Sequence, residues 1–346
     1  MQTSSIPFSI KTADQKVFVF RLVNKNQTEV LISNYGAIIL SFKIKQGSVF
    51  NDIVLGFDKP ADYLNETYLR NYPLFGAAVG RYGNRIKDGR MEIDGIKFQL
   101  PINIGTDHLH GGLSGFDKKI WNVDLADEKN NTVIFRLRSP DGDEGYPGNL
   151  DVSITFHLND QDELSHEYVA TTDQVTAVNL THHSYFNLNN GRGNINDHFI
   201  KIHGSSILEQ DLNYTTTGNY IPVDDTKYDF KNFRRIAERW GNENEYDQSF
   251  VIDKRDNVLG LAAEVYSTES KLKLDVLTTE PVVHFYTGSG IAALQGKNNT
   301  PYGRSSGFCL ETQKHPNAVN IPHFPDTVLR PGQTYHQKTI YRITHI

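Results

Sequence analysis

Cysteine is almost missing from this chain: Cys309 is the one example in 346 residues. A single thiol cannot close an internal disulfide, so no covalent framework holds the fold. No apolar run approaches the roughly 18 to 20 residues a membrane-spanning helix needs, so no membrane partner is expected. Basic charge is not in excess either. Lys and Arg number 35 against 41 Asp and Glu, a formal net charge of −6. That balance argues against nucleic acid as a main partner, because proteins of that kind present a basic field. The start, Met1-Gln2-Thr3-Ser4-Ser5-Ile6-Pro7, has no basic residue followed by an apolar core. It does not read as a retained secretory signal, and a cytoplasmic location is the expectation. Low-complexity tracts, Gly/Ser linkers and internal repeats are also missing. Nothing marks a boundary, so a single domain over residues 1–346 is expected, although length alone suggests about two.

What is present is the composition of a folded chain. Hydrophobic residues make 38%, aromatics 11% and charged residues 22%, which excludes disorder. A chain of 39.2 kDa buries roughly three quarters of its unfolded surface, enough core without metal or disulfides. The dominant period is two. Val152, Ile154, Phe156 and Leu158 alternate with Asp151, Ser153, Thr155 and His157, the pattern of a strand with one buried face. Residues 91–93 and 96–100 flank Asp94-Gly95, a hairpin signal because both turn positions need positive φ. Segments 17–23, 38–44, 121–125, 132–137, 167–171, 262–267 and 271–277 also read as strands. Helical signals are few: Phe230, Phe233, Ile236 and Trp240 fall near one helical face, and residues 60–64 form about one turn. Together these imply an all-β fold, a large antiparallel β-sandwich with very few short helices. Such a sheet can leave one face open to a ligand.

The common signatures of nucleotide, phosphate, zinc-protease, calcium and serine-hydrolase chemistry do not occur. Gly80-Arg81-Tyr82-Gly83-Asn84-Arg85 has glycines at the wrong spacing for a phosphate loop. Cys309, between Phe308 and Leu310, reads as a buried small apolar residue rather than a nucleophile. Polar clusters remain in turn-rich settings. On the strand pattern, Phe308, Leu310 and Thr312 share one face and Cys309, Glu311 and Gln313 the other. Glu311 is then either a surface glutamate or a site carboxylate on an open face. His182 and His183 point to opposite faces, and each is a structural histidine unless it serves a cleft. His110 sits before two glycines and is a turn histidine or a ligand contact. Arg85 is solvated or functional. His108-x-His110, with His183 and Glu311, has the residue types of a metal site, but no second tight ligand pair supports it. The expectation is no metal.

Read in order, these segments resemble the galactose mutarotase (aldose 1-epimerase) family. The resemblance rests on Asp52-Ile53-Val54-Leu55-Gly56-Phe57, Gly80-Arg81-Tyr82-Gly83-Asn84-Arg85-Ile86, Leu109-His110-Gly111-Gly112, Ser139-Pro140-Asp141-Gly142-Asp143-Glu144-Gly145-Tyr146-Pro147-Gly148, Asn179-Leu180-Thr181-His182-His183-Ser184-Tyr185-Phe186-Asn187-Leu188, His284-Phe285-Tyr286-Thr287-Gly288 and Gly307-Phe308-Cys309-Leu310-Glu311-Thr312-Gln313. They run in family order from about Asn34 to the C-terminus. The resemblance implies a supersandwich with a sugar cleft, an isomerase that interconverts the anomers of free hexoses such as galactose and glucose, and no cofactor. It implies His183 as general acid and Glu311 as general base. It implies that Arg85, His110 and Asp247 hold the sugar, with Asn84, Ser184 and Tyr185 beside them. Where close animal relatives have Gln before Phe-Tyr-Thr-Gly, this sequence has His284, also expected at the substrate. The implied partner is a free hexose, handled by a monomer or weak homodimer. Competing readings are a hexose-6-phosphate 1-epimerase, a non-catalytic carbohydrate-binding sandwich and a metal enzyme.

Overall fold

A computed structural model describes residues 6–12, 15–240 and 245–346 of the chain. The start read above for a leader lies largely outside them, at residues 1–5. The structure is 46% strand and 9% helical, as the period-two pattern requires.

Three antiparallel sheets carry the architecture. The nine-stranded sheet runs Asn122–Asp127, Thr132–Ser139, Leu150–Leu158, Glu163–Thr172, Tyr335–His345, Leu272–Thr278, Gly260–Tyr266, Phe199–Ile202, Arg234–Arg235. The six-stranded sheet runs Tyr185–Phe186, Phe308–Gln313, Val282–Tyr286, Asp247–Val251, Ser206–Gln210, Thr216–Pro222. A five-stranded sheet runs in chain order from Ile6–Thr12 to Val49–Asp52. The strand Leu150–Leu158 shows the cause. Leu150, Val152, Ile154, Phe156 and Leu158 are all buried, while Asp151 between them is exposed. At about 1.5 to 3 kcal/mol per buried large apolar side chain, a one-residue slip would turn that face to water and is strongly disfavoured. The Asp94-Gly95 hairpin forms as expected: Arg90–Ile93 pairs with Ile96–Gln99, and both turn residues have positive φ, 51° and 81°.

One apolar cluster joins all three sheets, with Leu22, Ile32 and Phe42, then Phe135, Ile154 and Val276, then Phe250, Phe285, Phe308 and Leu310. The six-stranded sheet thus turns Phe308 and Leu310 inward and presents Cys309, Glu311 and Gln313 on its far face. Two expectations need correction. Residues 230–240 are not a helix: Arg234–Arg235 is a short strand and Ile236–Arg239 a single 3₁₀ turn. The far face is not an open surface either, since Glu311 is 1% exposed beneath the loops that cover it.

Candidate active site

Three adjacent strands set the centre. In register, Ser249 stands opposite His284, and His284 opposite Glu311, so the three form one row across Asp247–Val251, Val282–Tyr286 and Phe308–Gln313. The next row on the same face holds Asp247, Tyr286, Cys309 and Tyr185. Loops bring the remaining groups. His183 follows the strand Thr181–His182, and its N–H donates to the Ala77 carbonyl at 2.9 Å. Arg85 and His110 arrive together, because Arg85–Ile86 pairs with His108–Leu109. Gly111 makes that approach feasible. Its φ is +82°, and a Cβ there would lie 1.9 Å from the Gly80 carbonyl oxygen. The glycines of this motif therefore let two loops touch.

His183 Nε2 lies 3.6 Å from Glu311 Oε1, both side chains being almost fully buried. The other ring nitrogen, Nδ1, is 3.4 Å from Cys309 Sγ. Burial, then the neighbouring Glu311 charge, pushes the Cys309 thiol well above its ordinary value, so it stays protonated. Sγ can donate to Nδ1 when the ring is neutral and accept from it when the ring is charged. In both of these arrangements Nε2 carries a proton and faces Glu311. Beneath them Tyr185 packs against the His183 ring, centroids 5.0 Å apart. Glu311 Oε2 and Arg85 Nε are buried without a hydrogen-bond partner among the described residues. Both atoms are left with hydrogen-bonding capacity that a polar ligand could use. The Arg85 guanidinium lies over the Tyr214 ring, 5.5 Å from its centroid.

His110 and Asn84 are clamped to each other. The Asn84 N–H donates to His110 Nδ1 at 3.2 Å, and the His110 N–H donates to the Asn84 carbonyl at 3.2 Å. Both adopt left-handed backbone, φ +62° and +53°, a conformation that Asn and His tolerate better than most residues. Burial, followed by the charges of His183 and Arg85, holds His110 well below the usual histidine range, so the ring is neutral. A neutral ring whose Nδ1 accepts must carry its proton on Nε2, which makes that edge a hydrogen-bond donor. Ligand atoms of His110, His183 and Glu311 do lie within 4.8 Å of one another. Yet metal binding through His110 Nε2 would move its proton to Nδ1, against the Asn84 N–H. His108 cannot help: its Nδ1 bonds the Pro101 carbonyl and its Nε2 the Tyr146 hydroxyl, both at 2.8 Å. The donor set fits a hydroxyl-bearing ligand better than a metal ion.

Asp247 completes the ring of polar groups. Its Oδ1 is 2.7 Å from His284 Nε2. Burial opposes its charge, but the His284 hydrogen bond, then the charges of His284, Arg85 and His183, hold the carboxyl below its ordinary value. Ser184 departs from expectation. Its hydroxyl pairs with His182 Nδ1 at 3.1 Å, and His182 Nε2 with the Ala37 carbonyl at 3.3 Å. Residues 182 and 184 share the inward side, so Ser184 supports the core and does not face His183. Of the two arginines in the glycine motif, Arg81 is structural. It is 2% exposed and donates to Ser139, Pro140, Pro147 and Gly148. Arg81→Met, leaving several buried acceptors unpaired, is expected to lower stability by about 3 to 5 kcal/mol. A denaturant midpoint within experimental error of wild type would contradict this.

Arg234 and Arg235 pair with Glu238 and Asp197 at the edge of the nine-stranded sheet, so they make no phosphate clamp at this site. A hollow of about 620 Å³ elsewhere, with Phe57, Asp58, Asp62, Tyr68 and Tyr302 among its lining residues, contains no imidazole or guanidinium.

An antiparallel β-sandwich with a buried imidazole–carboxylate pair, ringed by the Arg85 guanidinium, the neutral His110 ring and the Asp247 carboxylate, has the groups that general acid–base chemistry on a polar substrate requires. The family follows from comparison with known proteins. A model of the aldose 1-epimerase family matches residues 19–342. Galactose mutarotase of Sus scrofa is 40% identical over 323 residues, covering 92% of this chain and 91% of that one. Aldose 1-epimerase of Escherichia coli K12 is 33% identical, covering 90% and 91%. The solved structure of a GalM/aldose epimerase homologue from C. elegans superposes with a TM-score of 0.87 at 28% identity, covering 95% of this chain and 99% of that one. The chain belongs to the aldose 1-epimerase family.

Proposed function

We propose that the protein interconverts the α and β anomers of free hexoses, galactose and glucose among them. The observation that carries this is the Glu311–His183 pair at 3.6 Å, buried, with the second Glu311 oxygen unpartnered. Opening a pyranose removes the proton from O1 and delivers one to O5, while the C1–O5 bond breaks and C1=O1 forms. The two oxygens share one carbon, so a base and an acid this close reach both. Glu311 takes the O1 proton and His183 gives one to O5. Rotation about C1–C2 turns the aldehyde to its other face. On reclosure His183 takes the O5 proton back, O5 attacks C1, and Glu311 returns a proton to O1. Protons balance over the cycle without a cofactor. Arg85, His110 through Nε2–H, and Asp247 hold hydroxyls and limit sliding of the ring, the positioning effect that makes paired catalysis efficient. Asn84 fixes the His110 tautomer, and Tyr185 forms the floor under His183.

In this proposal the chain is one domain, because the nine-stranded sheet draws strands from residue 122 to residue 345. The site is built from one chain, which suits a monomer or weak homodimer. The lone buried thiol, Cys309, suits a reducing compartment such as the cytoplasm. Polarimetry of freshly dissolved α-D-galactose and α-D-glucose tests the function: the protein should speed the approach to the same final rotation. Sugar binding without acceleration would turn the proposal into a carbohydrate-binding module. A preference for glucose 6-phosphate over both free sugars would replace the substrate class.

A further inference from the structure

His284 has no ring atom left for a sugar. Its Nδ1 lies 2.9 Å from Ser249 Oγ and its Nε2 2.7 Å from Asp247 Oδ1, and the residue is 3% exposed. A neutral imidazole offers one donor and one acceptor; an imidazolium offers two donors. In the first case the Ser249 hydroxyl donates to Nδ1 and Nε2–H donates to Asp247. In the second both N–H groups donate, to Ser249 Oγ and to Asp247. Both nitrogens are spent in either state. Ser249 and Asp247 stand two residues apart on one face of one strand, with His284 on the neighbouring strand directly opposite Ser249. The strand pairing itself thus holds the three groups in line. Asp247 keeps Oδ2 for a ligand.

We propose that His284 does not contact substrate but acts with Ser249 as a positioning unit, fixing the rotamer of the Asp247 carboxylate that receives the sugar. This rests on the assignment of Asp247 as a sugar ligand. The unit sets affinity more than turnover, because it touches none of the reacting atoms.

The test is polarimetric KM and kcat for galactose across a variant set. Ser249→Ala should raise KM about fivefold, the size of one lost hydrogen bond, and change kcat less. His284→Leu should raise KM about 30-fold, the size of a lost bond to a charged group. His284→Gln keeps a donor for Asp247 and should recover most of that loss. Adding Ser249→Ala to His284→Leu should do nothing further, since Ser249 works through the ring. Nitrogen NMR of labelled histidine should find His284 Nε2 protonated in the wild type and still protonated in Ser249→Ala, because the Asp247 carboxylate can only accept. Additive KM effects, or a His284→Leu variant that loses kcat alone, would overturn the proposal. Asp247→Asn separates the two levels. If it leaves KM unchanged, the sugar-ligand assignment of Asp247 fails. If it raises KM while Ser249→Ala and His284→Leu do not, the positioning unit fails.

Discussion

Glu311→Gln is expected to slow anomer interconversion by about 10² to 10⁴, the range for a lost general base, or roughly 3 to 5.5 kcal/mol of barrier. The substitution keeps shape and removes proton affinity, so the fold should survive. His183→Asn should cost a similar factor, because Asn cannot deliver a proton to O5 while the Glu311 side takes one from O1. The double variant sharpens the assignment. In the proposed cycle Glu311 and His183 serve two ends of one proton exchange, so removing both should cost little more than removing the more damaging one alone. Independent contributions would multiply instead. KM should move little in either single variant, since Arg85, His110 and Asp247 remain. Near-normal polarimetric rates in either variant, with folding verified by thermal melting, would sink the assignment.

The sites of these substitutions were legible in the sequence to different degrees. Alternation placed Glu311 and Cys309 on the face away from Phe308 and Leu310, and the register agrees. It also put His182 and His183 on opposite sides. Strand arithmetic failed where the backbone leaves the strand. His108-x-His110 would share a face in a continuous strand, but His110 has φ +53°, and the two rings part company. Residue type could not separate Arg81 from Arg85: one saturates loop carbonyls, the other keeps an unpartnered Nε. The apolar spacing at 230–240 mimicked a helix for a different reason. Phe230 packs on Tyr246 and Phe285, whereas Phe233 reaches Tyr266 on the nine-stranded sheet. These side chains anchor an irregular segment at separate points. Ser249 and Tyr214 were missed altogether. Ser249 had a signal, since it lies two residues beyond Asp247 and therefore on the same strand face. Tyr214 had none, because its contact with Arg85 joins a turn to a short strand far away in the sequence.

The second large effect is expected on stability in mild acid. Six histidines are held below their ordinary range, in each case by burial first: His108, His110, His166, His182, His198 and His315. His182 falls to about 3, and His198 and His315 to about 4. The sign follows from linkage. With the folded value depressed, the unfolded chain binds the proton first, so each ring's contribution is intact above the unfolded value near 6.5 and is lost as pH falls. Each ring adds a slope of up to about 1.4 kcal/mol per pH unit. Several such rings together match the whole stability of a typical domain, about 5 to 15 kcal/mol. Asp117 and Glu280 work the other way, their carboxyls being raised by burial, but they are two against six. Denaturant midpoints should therefore be level above pH 7 and fall steeply between pH 6.5 and 5. His166 offers the cleanest dissection. It is fully buried among Phe156, Tyr168, His182 and Tyr341, and neither ring nitrogen has a hydrogen-bond partner among the described residues. His166→Leu removes the protonation site at similar volume without orphaning a partner. Stability at pH 8 should change by less than about 1.5 kcal/mol, while the acid midpoint moves to lower pH. A wild-type stability that stays level from pH 7 to 5, or an acid midpoint unmoved in His166→Leu, would show that these buried rings do not govern the transition.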